Sequence, residues 1–137
     1  MHVYAPNRGF TLVELLIVMI IASVLAMIAV PSYQASVIKS RRADGRVVLN
    51  DTAQRLERCY TQFGSYDAGD CAIADEEEIT SQEGFYVLTV DVQDAVTYEL
   101  TAAPAGPQAD DEDCGSLILT NTGERTITGD GDIERCW

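Results

Sequence analysis

The sequence has almost no histidine and, across its middle, no basic residue at all. His2 is the sole histidine of 137 residues and falls in the stretch read below as a leader, so no serine nucleophile is expected to have a histidine base. No glycine-rich phosphate cradle is present, and the carboxylates fall in runs rather than as a pair in a pocket; catalysis is not indicated. Every Lys and Arg lies at or before Arg58 or at or after Arg125. The formal charge of −13 is therefore concentrated in an acid-only stretch that includes Asp75–Glu78 and Asp110–Asp113, both read as solvated loop surface. A field of that sign repels phosphate backbones, so nucleic acid is not an expected partner. There is also no C-x-x-C pair, which removes the usual zinc and thioredoxin-like readings. The four cysteines, Cys59, Cys71, Cys114 and Cys136, allow three connectivities and read as two disulfides in an oxidising compartment.

What the chain does have is a long apolar run. Leu15–Val30 contains nothing more polar than Ser23. Phe10–Val30 would extend about 32 Å as a helix, enough to cross a bilayer core of ~30 Å. Residues 1–9 read as a leader, 10–34 as a membrane-spanning helix segment and 35–137 as a soluble head. No A-x-A site follows the apolar run, where Pro31-Ser32-Tyr33 stands instead, so an ordinary secretory cut is not expected. The small residue beside a charged flank is Gly9, and a cut there would keep the apolar segment. Pro31 lacks the helical donor and is expected to kink the helix or thin its contacts. The positive-inside rule sets Arg8 against Lys39, Arg41 and Arg42, and favours the wrong side for disulfides. The cysteines outweigh it, with the basic residues after the span left to meet headgroups.

Helical patterning continues past the span. Leu49, Ala53, Leu56, Tyr60 and Phe63 recur at spacings of four and three with Cys59 alongside, while Asp51, Arg55, Glu57 and Arg58 point elsewhere. One helix is expected from about Thr11 to about Gln62, with Gly45 as a soft point. Residues 65–83 read as a loop. Phe85–Val92 and Val96–Ala102 read as a hairpin across Gln93-Asp94-Ala95, Pro104–Asp113 as a second loop, and SLILT and ERTIT as a hairpin across Asn121-Thr122-Gly123. The fold class is α+β: a long helix whose second half covers a sheet of about four antiparallel strands. Tyr86, Tyr98 and Trp137 read as core or sheet packing rather than adhesive aromatics. Asp130 and Asp132 in GDGD have the spacing of a calcium loop but lack its further ligands, and read as a solvated turn.

The stretch GFTLVELLIVMIIASVLAMIAVPSY resembles the N-terminal signature of type IV prepilins, with Gly before the cut, Phe after it, Glu as fifth mature residue and Pro as twenty-second. The similarity continues through Lys39–Gly45 (KSRRADG) and Leu56–Tyr66 (LERCYTQFGSY). It resumes at CGSLILTNTGERT and the final CW, which look like small minor pilins. The resemblance implies cleavage between Gly9 and Phe10 by a prepilin peptidase, N-methylation of Phe10, and an assembly role for Glu14. It implies a Cys114–Cys136 pair, leaving Cys59 to Cys71. It also implies an inner-membrane precursor with a periplasmic head, then an extracellular pilus built with other pilins and the pilus machinery. No cofactor or metal is implied. A DNA-uptake receptor and a type II secretion pseudopilin are the alternatives. Physically, cleavage would create a cationic amine on Phe10, one helical turn from Glu14. An offset neighbour could pair the two in a low-dielectric fibre core, where an unpaired charge is heavily penalised.

Overall fold

A computed structural model describes residues 9–71, 73 and 77–137. The leader residues before Gly9, and Asp75 and Glu76 of the first acidic run, lie outside the described residues. Two compact units divide between Ser36 and Val37.

The first helix, α1, spans Leu12–Phe63 and runs through Pro31 without interruption. In its first part every residue is exposed, from Leu12 through Ser36. From Val37 onward the helix is amphipathic in fact as well as in pattern: Leu49 and Leu56 are fully buried and Val48 and Cys59 nearly so. The expected stripe loosens at its end, where Tyr60 and Phe63 are 37% and 47% exposed.

Five antiparallel strands follow in simple sequence order: β1 (Glu78–Thr80), β2 (Tyr86–Asp94), β3 (Thr97–Pro104), β4 (Leu117–Thr120) and β5 (Arg125–Ile127). The sheet therefore has one strand more than expected. β1 sits inside the stretch read as loop because three residues, one of them Ile79, show too little alternation to stand out beside an acidic run. β2 and β3 alternate cleanly. Tyr86, Leu88 and Val90 face Tyr98, Leu100 and Ala102 across the same inner surface, with Leu117 and Leu119 extending it on β4. The β2–β3 turn is displaced to Ala95-Val96, after a register shift between Val92 and Asp94. Asp94 closes it by accepting the Val96 N–H at 2.8 Å, and that hydrogen bond leads the effects lowering its carboxyl pKa. Gly123, at φ +81°, supplies the left-handed residue of the second hairpin.

Pro104–Asp113 contains a short 3-10 turn, Gly106–Gln108, and the tail ends in one helical turn, α2 (Ile133–Cys136), capped by Asp132. Cys59–Cys71 and Cys114–Cys136 are both bonded, with Cα–Cα distances of 5.6 and 5.7 Å. One closes the chain after α1 onto its last turns, and the other ties the tail to the start of β4.

Candidate functional site: the helix start and the flanks of the head

The proposed cut falls beside exposed backbone. Gly9 and Phe10 precede α1, and Phe10 is 84% exposed. Because α1 begins at Leu12, Phe10 lies just before the first helical residue. Glu14 occupies the first turn. Its N–H donates to Thr11 Oγ1 at 3.2 Å while the Leu15 N–H donates to the Thr11 carbonyl at 3.2 Å, so Thr11 caps the helix. Thr11-Leu12-Val13-Glu14 has the spacing of a capping box. That signal was in the sequence, and reading Glu14 only as a charge in a membrane passed over it. A carboxylate in the first turn is also favoured by the helix dipole.

In the head, polar residues on α1 act as anchors. Arg42, read as part of a headgroup-facing basic run, is instead buried. Its Nε and Nη2 donate to the two carboxylate oxygens of Asp111, both at 2.7 Å. Asp111 in turn was expected in solvated loop; it is 6% exposed because the 3-10 turn folds it under Arg42. Burial alone would raise the Asp111 pKa, but the Arg42 hydrogen bonds and charge, with the Cys114 N–H and the Gln108 amide, hold it below the usual carboxylate range. Asp44 performs a similar task on the β1–β2 turn, accepting from Ser81 Oγ at 2.6 Å and from the Glu83 and Phe85 N–H groups. Glu57 Oε1 accepts from the hydroxyls of Tyr66 and Tyr98, whose rings meet edge to face at 4.8 Å. Burial, reinforced by Glu57, pushes the Tyr66 phenol up to about 12 and raises Tyr98 as well.

The remaining sequence candidates resolve as packing. Tyr86 and Tyr98 belong to the core. Trp137 is half-buried; its indole N–H donates to the Thr126 carbonyl at 3.0 Å, and Arg125 lies over the ring at 5.2 Å. Gly45 is no soft point: a Cβ there would sit 2.9 Å from the Tyr86 ring. In the GDGD turn, Gly129 and Gly131 lie against the Asp113 carbonyl with no room for a Cβ, and Asp132 Oδ1 accepts the Glu134 N–H at 3.1 Å. Among the described residues, no three His, Cys, Asp or Glu side chains are grouped to hold a metal ion.

Comparison with known proteins brings these features together. A family model described as type IV minor pilin ComP, DNA uptake sequence receptor, matches residues 31–118, and one for the prokaryotic N-terminal methylation motif matches residues 5–30. A fimbrial protein of Neisseria meningitidis serogroup A is 28% identical over 112 residues, covering 82% of this chain and 64% of that protein. The type IV major fimbrial protein FimA of Dichelobacter nodosus is 38% identical over 70 residues, 49% of this chain and 42% of its own. The chain thus spans just under two thirds of the length of the first curated relatives it matches. Among solved structures, a type IV pilin from Shewanella oneidensis superposes with a TM-score of 0.50 at 27% identity, over 73% of this chain and 97% of that one. The Neisseria meningitidis non-core minor pilin PilV shares the fold, with a TM-score of 0.56 at 21% identity over 72% and 94% of the two chains.

Proposed function

The chain belongs to the type IV minor pilin family, and we propose that it works as a structural subunit of the pilus. The precursor is held in the inner membrane by residues 10–34 with its head in the periplasm. A prepilin peptidase cuts between Gly9 and Phe10, Phe10 is N-methylated, and the subunit then joins other pilins through the apolar part of α1 with the help of the pilus machinery. The observation that carries this reading is the uncovered apolar surface of α1: Leu15, Leu16, Ile17, Met19, Ile20 and Leu25 are each more than half exposed. Before assembly lipid covers that surface, and afterwards neighbouring helices do.

Glu14 supports the same reading, since it forms no ion pair among the described residues. Its pairing with the Phe10 amine of an offset neighbour would set the register of packing. Helix capping is the competing role, and Glu14→Gln separates them, because Gln is accepted at this capping-box position while the charge is gone. Insertion in the membrane should be unchanged and incorporation into sheared pili should fall; normal incorporation would sink the charge-pair role. The intact mass of the mature protein tests processing, with N-methyl-Phe10 as the expected first residue.

A second reading, direct recognition of DNA by the head, follows from the description of the matching family. The charge of −13 weighs against it. A gel shift of the full chain in neutral detergent at low salt should give no specific complex, and a retarded band would reverse this order of preference.

A further inference from the structure

The two disulfides sit in different surroundings. Cys114 and Cys136 are 0% and 1% exposed, and the Gly129 N–H donates to the Cys114 carbonyl at 3.0 Å, closing the GDGD turn beside them. Cys59, on the last turns of α1, is 7% exposed, but its partner Cys71 is only half-buried. An open groove of about 230 Å³, walled by Arg55, Arg58, Phe63 and Asp70, leads to both of these cysteines. A second hollow of about 230 Å³ is lined by Cys71 with Ala68, Ile73 and Val92, so Cys71 borders two openings. Charges of both signs wall the groove, so access rather than electrostatic field sets this disulfide apart. The turn before it has anchors of its own. The Gly64 N–H donates to the Tyr60 carbonyl at 2.8 Å, the Tyr66 N–H to the Ala95 carbonyl at 3.0 Å, and the Tyr66 hydroxyl to Glu57 at 2.9 Å. The Ser65 carbonyl lies 3.6 Å from Cys59 Sγ and 3.9 Å from Cys71 Sγ, an acceptor within reach of either sulfur once it carries a proton.

We infer that Cys59–Cys71 is a thiol–disulfide exchange site on the folded head, addressed by a dithiol reductant, whereas Cys114–Cys136 is an inert staple. A thiolate of the reductant attacks Cys71 Sγ, because Cys71 is the more exposed of the pair. The bond to Cys59 breaks, and Cys59 leaves as a thiolate that takes a proton from water. The reductant's second thiolate then displaces Cys71 from the mixed disulfide, and Cys71 is protonated in turn. Two electrons have passed to the head, and the reductant ends as its own disulfide. Reduction detaches Cys71 from α1, while the hydrogen bonds of Gly64 and Tyr66 hold the preceding turn in place. The bond is thus a clasp on the end of α1 that opens and closes without unfolding the sheet, and it does not depend on how the subunit assembles.

The test treats full-length protein in neutral detergent with dithiothreitol at mildly alkaline pH, blocks samples with N-ethylmaleimide at intervals and maps the label by peptide mass spectrometry. Label should enter Cys59 and Cys71 at least about tenfold faster than Cys114 and Cys136, since exchange follows access. The fluorescence of Trp137, the sole tryptophan and packed on β5, should stay native while the first two labels enter. A thioredoxin whose resolving cysteine is replaced by serine should be trapped as a mixed disulfide on Cys71. Labelling of all four cysteines together, earlier labelling of Cys114 and Cys136, or loss of native fluorescence with the first labels would overturn the proposal. So would a trapped adduct on Cys59, or none. Cys59→Ser with Cys71→Ser separates a clasp from a staple. The double variant should keep native Trp137 fluorescence and an unlabelled Cys114–Cys136 pair; an unfolded head would show that the bond is structural and refute the exchange site.

Discussion

The two parts of α1 use the same kinds of residue to opposite ends. Ile17, Ile20 and Leu25 are 52%, 62% and 61% exposed, whereas Leu49 and Leu56, further along the same helix, are fully buried. The difference lies in what the chain provides to cover them. The head half meets a five-stranded sheet, two disulfides and three polar anchors, Arg42, Asp44 and Glu57. Among the described residues the first part is exposed throughout, and in the proposed function lipid or another subunit covers it. Apolarity therefore marks burial in both parts, and only the head half contains its own solvent exclusion.

The strongest way to test that contrast is at Arg42. Arg42→Ala leaves Asp111 buried without its partner and should destabilise the head by about 3–5 kcal/mol, read as a loss of denaturant midpoint with unchanged slope. Asp111 also sets an acid limit. Its folded pKa is depressed, so its contribution is present above the unfolded value of ~3.9 and is lost as pH falls through the folded one. Melting measured from pH 6 to pH 2 should show this loss in the wild type and a flatter curve in Asp111→Asn.

Next in size is Leu56→Ala, which opens a cavity under the sheet and should cost about 2–5 kcal/mol. Gly45→Ala should come third. Ala is the better helix former by ~1 kcal/mol, yet its Cβ would press on the Tyr86 ring, and overpacking of that kind costs about 1–3 kcal/mol. A net fall in stability is expected; a rise would mean that Tyr86 can move away.

These sites also show which parts of the molecule could be read from its residues. The long helix, the strands β2 to β5 and the apolar span follow from spacings of 3.6 and 2 and from uninterrupted hydrophobicity, which are local signals. Arg42, Asp111 and Gly45 could not be read that way. Their roles depend on contacts across long stretches of chain, and a charged residue bound to a distant partner has the same sequence appearance as a solvated one. β1 was hidden for another reason: a three-residue edge strand paired on one side needs little pattern of its own. The capping box at Thr11 and Glu14 was legible but overshadowed by the more conspicuous question of a carboxylate at a membrane edge.

The smallest expected effect is the one that decides whether the contrast between the two parts of α1 is real. Ile17→Ala removes about as much apolar side chain as Leu56→Ala, from a residue 52% exposed rather than buried. If the first part of α1 contributes no internal core, the head's denaturation midpoint in a fixed detergent should not change measurably. The lost apolar surface should register instead where its cover is supplied from outside, as weaker membrane retention or reduced incorporation into pili. A shift in head stability near that of Leu56→Ala would mean that residue 17 is covered by its own chain. The division between Ser36 and Val37 would then not separate two independently stabilised units, and the exposed apolar surface would no longer argue for assembly.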